Sequence, residues 1–155
     1  MKKLILLLSI IFMVSIVSAQ KIDKNQVPEA VKKMLFTKIN DTLTPAWLKS
    51  GEIYNATFTK GELTASIDIK QSGEWLKTVW VMPYKYVPQK IKDNVTANYN
   101  GYKVVKSSIQ YRTDGDYYII EAKKKKDVKV LLYNLKSEFV KVDTDLITPV
   151  PIPKP

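Results

Sequence analysis

Val27-Pro28-Glu29-Ala30-Val31-Lys32 and Val87-Pro88-Gln89-Lys90-Ile91-Lys92 are two passages in one grammar, and the residues downstream of each decide the fold. Each sets a proline near the first helical position, where its missing N–H costs nothing. Apolar residues then return at helical spacing: Val27, Val31, Met34, Leu35 and Ile39 in the first passage, Val87, Ile91, Val95 and Tyr99 in the second. Both predict amphipathic helices of about three turns.

After each helix the period falls to two, the spacing of half-buried strands. Tyr54, Ala56 and Phe58 alternate with polar residues, and Leu63, Ala65, Ile67 and Ile69 alternate with Thr64, Ser66 and Asp68. Turn signals stand at Lys60-Gly61 and Ser72-Gly73. Beyond the second passage come strand-like runs at Tyr102–Tyr111, Tyr117–Ala122, Val128–Tyr133 and Phe139–Val142, with turns at Asp114-Gly115 and inside a lysine run. The closings match as well: Glu74-Trp75-Leu76-Lys77 answers Glu138-Phe139-Val140-Lys141. The fold class expected is α+β, two tandem helix-plus-antiparallel-β-meander units with the helices packed on one face of the sheet. The units are expected at 20–83 and 84–143. The proline-rich tail, 144–155, cannot continue a ladder and is expected as an extended, exposed arm.

The N-terminus has its own pattern. Met1-Lys2-Lys3 is cationic, the run from Leu4 to Val17 is apolar apart from Ser9 and Ser15, and Val17-Ser18-Ala19 offers the small residues of a cleavage site. This is the signature of a secretory signal peptide over residues 1–19, leaving Gln20 first. With no cysteine at the cleavage point, a lipoprotein is excluded. The expected product is periplasmic or released, and no later segment is long enough to span a bilayer.

Composition narrows the chemistry further. Hydrophobic residues make up 45% and charged residues 26%, the balance of a folded domain rather than a disordered chain. Cysteine and histidine are both absent, which removes disulfides, thiolate nucleophiles, Cys/His zinc sites and Ser-His-Asp triads. Glu52, Glu62, Asp68, Glu74 and Asp116 sit at turns or strand exteriors, and nothing in the sequence pairs them for acid–base work. There is no phosphate-cradling glycine loop and no Gly-x-Ser-x-Gly. The one Ser-x-x-Lys, Ser18 to Lys21, straddles the cleavage point. Asp114-Gly115-Asp116 falls short of a calcium ligand set and reads as a turn. The glycosylation-like triplets at Asn40, Asn55 and Asn94 are short enough to arise by chance. No enzyme, metal or cofactor is expected.

The order of motifs carries a resemblance. After the leader come Val27-Pro28-Glu29-Ala30-Val31, a short Trp-led strand at Trp47-Leu48-Lys49, and "IYNATF" from Ile53. Next are "IDIKQSGEWLKT" from Ile67, "VPQKI" from Val87, "YNGYKVV" from Tyr99, "DGDYYII" from Asp114 and "VLLYNLKSEFVKV" from Val130. The chain from Val27 to Val142 resembles the PepSY-like proteins grouped with the β-lactamase-inhibitor-like (BLIP-like) folds. The resemblance implies tandem α/β units whose sheets form a curved surface, and a secreted binding or inhibitor module without catalysis. Inhibition of a β-lactamase itself is not carried over, because that inhibitor's disulfides and contact loops have no counterpart here.

Face assignment then points to a site. With Leu63, Ala65, Ile67 and Ile69 toward the first helix, aligning the closings puts Leu131 and Tyr133 toward the second. Val130 and Leu132 then fall on the open face, beside Tyr117 and Ile119. An apolar patch of Tyr117, Ile119, Val130 and Leu132, with Trp75 as a further aromatic anchor, is the expected protein-binding surface. A slip of one residue, or another segment over that face, would instead make these residues core. Trp47 and Trp80 read as core. The net charge is +10, about +8 without Lys2 and Lys3. Lys123, Lys124, Lys125 and Lys126 cap a hairpin, where they either guard the sheet edge or meet an anionic glycan or lipid headgroup. The partner expected first is another protein; nucleic acid is not expected.

Overall fold

The structure, a computed structural model, describes residues 19–39 and 44–143. The leader as far as residue 18, the triplet at Asn40 and the proline-rich tail lie outside the described residues.

Nine strands and two helices succeed one another along the described chain. They are β1 (Gln20–Ile22), α1 (Glu29–Ile39), β2 (Ala46–Ser50), β3 (Ile53–Lys60), β4 (Leu63–Lys70), β5 (Trp75–Val81), α2 (Gln89–Asn98), β6 (Lys103–Arg112), β7 (Gly115–Lys124), β8 (Asp127–Asn134) and β9 (Phe139–Val142). The strands form a single antiparallel sheet in sequence order. β5 pairs with β6, from Lys77↔Arg112 to Val81↔Ser108, so the sheet runs without a break past the expected boundary at residues 83 and 84.

Each helix starts the same way. A single turn of 3₁₀ helix, Lys24–Gln26 before α1 and Tyr84–Tyr86 before α2, leads into the proline. The Pro28 carbonyl accepts from the N–H groups of Val31 and Lys32, and the Pro88 carbonyl from those of Ile91 and Lys92. The first 3₁₀ turn is closed by side chains: Asp23 accepts from the Asn25 N–H at 2.8 Å, and Gln26 accepts from the Asp23 N–H at 2.9 Å.

Residues at i and i+4 then share one face. Val27, Val31 and Leu35 pack on Trp47, Tyr54, Ala56, Phe58, Ala65, Ile67 and Ile69. Val87, Ile91 and Val95 pack on Ile120, Leu131 and Tyr133. Both helices therefore lie on the same face of the sheet. Full burial of one such isoleucine stabilises the fold by roughly 1.5–3 kcal/mol.

Two features are not legible in the sequence. β1 has three residues, too few for alternation to show, and exists because β2 gives it a partner from Gln20↔Lys49 to Ile22↔Trp47. The closings also hide a bulge. The register of β4 against β5 shifts between Asp68 and Ile69, and that of β8 against β9 between Leu132 and Tyr133. The preceding turns match bond for bond: Lys70 N–H donates to the Glu74 carbonyl and Gly73 N–H to the Lys70 carbonyl, as Asn134 does to Glu138 and Ser137 to Asn134.

Candidate binding face

Register turns the helix-free face into rows of side chains that cross the strands. One row runs Leu48, Asn55, Asp68, Lys77, Arg112. The next runs Ala46, Thr57, Ser66, Val79, Gln110, Tyr117, Asn134. A third runs Thr59, Thr64, Val81, Ser108, Ile119, Leu132, Lys141. The face thus changes from polar over β3 and β4 to apolar over β7 and β8.

The polar end is tied together by its own side chains. The Asn55 amide donates to the Ser66 hydroxyl at 2.6 Å and to the Asp68 carboxylate, and Thr57 donates to the Asn55 carbonyl at 2.8 Å. Lys77 reaches the other Asp68 oxygen at 3.2 Å. At the far end of that row Arg112 grips Asp114 through Nε at 2.8 Å and through its terminal nitrogen at 2.6 Å. The same guanidinium lies 4.9 Å from the centre of the Tyr117 ring. Asp114 is thereby held below the usual carboxylate range and Arg112 above its own ordinary value, each mainly by this shared hydrogen bond.

The apolar end holds the residues expected as a patch. Tyr117, Ile119, Val130 and Leu132 do lie on the side away from α2, and Ile119 faces Leu132 directly. They are brought together: Ile119, Val130 and Leu132 form a cluster of their own with Tyr117 on its flank. Yet Ile119 is 3%, Val130 2% and Leu132 1% exposed, so the open apolar surface expected from the sequence is closed to solvent. The register is as expected; burial is the difference.

Trp75 is a second correction. Counting back from Lys77 by strict alternation sends Trp75 to the helix-free face. The bulge adds a residue, so Trp75 pairs with Ile69 and packs against the first core cluster on the helix side. Its indole N–H donates to Thr78 Oγ1 at 2.9 Å, and Lys38 Nζ stands 4.0 Å from the ring centre. Trp47 is buried and Trp80 meets Phe58 edge-on at 5.6 Å.

The lysine run sits where its turn was expected. Lys123 and Lys124 end β7, Lys125 and Lys126 make the turn, and all four are exposed. Lys124 Nζ reaches the Asn100 carbonyl at 3.4 Å and lies over the Tyr102 ring. Sequence reasoning misses Asn55, Asp68, Lys77 and Arg112 as a row. Its signal is there in the alternation of β4, but pairing Asp68 with Lys77 requires the register.

Resolved titration shifts move groups away from neutrality. Hydrogen bonds from Lys85 and Tyr86 lower Glu62, a hydrogen bond from Tyr102 lowers Asp127, and burial raises Tyr84, Tyr111 and Tyr133. A general acid or base at neutral pH needs the opposite tuning. A groove of about 460 Å³ lies at the C-terminal end of α2, lined by Tyr84, Tyr99, Tyr102 and Val104 among others, away from the sheet face. Among the described residues no helix is long and apolar enough to cross a membrane.

Known proteins support this picture at two levels. No curated protein matches the sequence. A solved structure of a DUF2874 family protein from Bacteroides ovatus is 14% identical with a TM-score of 0.66, covering 79% of this chain and 94% of that one. A BLIP-like protein from Bacteroides fragilis is 13% identical with a TM-score of 0.66, covering 75% and 85%. A third, from Bacteroides eggerthii and described among "putative periplasmic proteins", is 16% identical with a TM-score of 0.64, covering 76% and 88%. At such identities the likeness is one of fold. The family model described as "Putative beta-lactamase-inhibitor-like, PepSY-like" matches residues 52–141, most of the sheet and all of α2, and the chain belongs to that family.

Proposed function

We propose that this chain is an exported, non-catalytic module, built of tandem helix-plus-sheet units, that binds another protein through the helix-free face of its sheet. The observation that carries the reading is the placement of both helices on one face. The opposite face is left with cross-strand rows of Thr57, Ser66, Asp68, Lys77, Gln110 and Arg112 and no described element stacked on them. Such a continuous, half-buried, mixed polar and aromatic surface suits a protein partner better than a small molecule, which needs a concave pocket. The inhibitor-like family, the leader pattern and the periplasmic description of one structural neighbour support export and binding.

The test is capture from a native envelope fraction, read by mass spectrometry, with the chain lacking residues 1–19. Ser66→Arg or Gln110→Arg in the middle rows is expected to cut retention of a defined protein at least tenfold. Lys33→Glu, on an exposed position of α1, is expected to leave it unchanged. Equal retention by all three variants would overturn the assignment of the face.

A second reading rests on the hairpin tip, where Lys123, Lys124, Lys125 and Lys126 are all exposed on a chain of net charge +10. It is a contact for anionic glycans or lipid headgroups. Retention on an anionic matrix that falls steeply with salt, and is lost when the four lysines become serine, separates it from the first reading.

A further inference from the structure

The groove at the C-terminal end of α2 and the lysine hairpin share one corner of the molecule. The groove holds about 460 Å³, within the roughly 300–1,000 Å³ of small-molecule sites. Tyr84, Tyr99 and Tyr102 line it with Val95 and Val104, an aromatic and apolar surface. The rest of the lining, Thr96, Asn100, Gly101 and Lys103, is polar or cationic and contains no carboxylate. Tyr99 and Tyr102 meet edge-on, with ring centres 6.1 Å apart and planes at 90°, so the two rings turn a corner within the groove. Among the described residues the Tyr84 and Tyr99 hydroxyls, the Asn100 amide and the Lys103 ammonium have no hydrogen-bond partner.

The hairpin brings charge to this lining. Lys124 runs across Gly101 so closely that a Cβ there would stand 3.1 Å from its Nζ, which reaches the Asn100 carbonyl at 3.4 Å. Gly101, at φ +81°, has no side chain to block it. Lys103 stands directly opposite Lys123 across β6 and β7, and both are exposed. Like charges so placed repel each other, and a bound anion relieves the conflict. Lys92, beside the Tyr84 ring, and Lys129 add to the excess. The acids nearby are already engaged. Asp127 accepts from the Tyr102 hydroxyl and pairs with Lys129 at 3.3 Å, and Asp93 accepts from the Gln89 amide at 2.8 Å.

We propose that this corner binds an acidic glycan, with a pyranose ring packed against the tyrosines and its carboxylate or sulfate groups held by Lys103 and the hairpin lysines. A pyranose has an apolar C–H face that suits a tyrosine ring and a rim of hydroxyls that suits the Tyr84 and Tyr99 hydroxyls and the Asn100 amide. Its anionic groups gain charge-assisted hydrogen bonds from lysine. A lipid headgroup needs only the lysines and has no use for an aromatic groove. The glycan assignment builds on the second reading of the hairpin tip and names its ligand.

The test titrates the chain starting at Gln20 with tetragalacturonate, a heparin tetrasaccharide, maltotetraose, tetraglutamate and phosphatidylglycerol vesicles, read by calorimetry and backbone amide shifts. The acidic tetrasaccharides are expected to bind at least tenfold more tightly than maltotetraose or tetraglutamate. They are expected to shift the amides of Tyr99, Gly101 and Lys124 and to leave those of Ser66 and Gln110 in place. Tyr102→Ala and Asn100→Ala are each expected to weaken this binding at least fivefold. Asn100 is exposed in a turn, so its variant decides should Tyr102→Ala fail to fold. Tetraglutamate binding as tightly as the acidic sugars, or unchanged affinity in the folded variants, would overturn the glycan assignment and leave a charged tip alone. Shifts produced by the vesicles and by neither acidic tetrasaccharide would overturn it in favour of a lipid headgroup. Failure of every anion to bind, an anionic matrix included, would overturn the second reading itself, so the two failures are distinguishable.

Discussion

Lys125 takes φ +57°, in the left-handed region, at the first of the two residues joining β7 to β8. Gly51 and Gly61 hold the same place in the β2–β3 and β3–β4 hairpins, with φ +57° and +60°. A lysine there bears a steric cost between its Cβ and the backbone that glycine escapes, of about 1 kcal/mol. Lys125→Gly is therefore expected to raise stability by about 0.5–1 kcal/mol, read as a higher urea midpoint at unchanged slope. A lowered midpoint would show that the side chain matters more than the backbone. Two residues further on, Asp127 accepts from the Tyr102 hydroxyl and pairs with Lys129 at 3.3 Å, and these hold its carboxyl below the ordinary aspartate value. A depressed folded-state value means stabilisation that is full above the unfolded-state value and lost as pH falls through the folded one. Asp127→Asn is expected to melt below the parent at pH 7 and to converge with it in acid, as thermal melts from pH 7 to pH 2 would show. At this scale the sequence was legible wherever alternation alone sets direction, as for Ile67 or Ile119. It failed at Trp75, because a bulge is one residue of extra chain and leaves no mark in residue type.

The helices depend on a few anchors rather than on intrinsic propensity. α2 has ten residues, short for an isolated helix in water, and Ile91 in its first turn is completely buried. Asn94 on the next turn accepts from the Tyr133 hydroxyl at 2.9 Å, tying α2 to β8. Burial holds that hydroxyl protonated well above the ordinary tyrosine range. Ile91→Ala is expected to cost about 2–5 kcal/mol by emptying the slot between helix and sheet. Val140→Ala on the exposed edge strand β9 is expected to cost under about 0.5 kcal/mol. Denaturant unfolding of both variants checks the contrast; similar losses would mean that α2 is not anchored through Ile91. The paired openings at Pro28 and Pro88 made these helices readable, since proline placement and i+4 spacing are local properties. β1 was not readable, since three residues acquire a strand conformation only from the partner that β2 supplies.

Across the whole molecule, the pairing of β5 with β6 makes one sheet of the strands that follow α1 and those that follow α2. Five residue pairs join the two helix-plus-strand segments inside one sheet, so neither segment presents a free edge at residues 77–81 or 108–112. Unfolding is expected as a single cooperative transition, with Ile67→Ala and Ile120→Ala lowering the same midpoint. Two resolved steps in calorimetry, each sensitive to one substitution, would show separable units instead. By itself the sequence determined the helix positions, the inward and outward alternation along the longer strands, the exclusion of thiol and imidazole chemistry, and the basic hairpin tip. All of these derive from residue type and near-neighbour spacing. The tertiary structure decided that the strands close into a single sheet, that Trp75 turns to the helix side, and that Ile119, Val130 and Leu132 are shielded on the far face. The reason is physical: burial and register are properties of what lies above and beside a residue, and those neighbours come from distant parts of the chain.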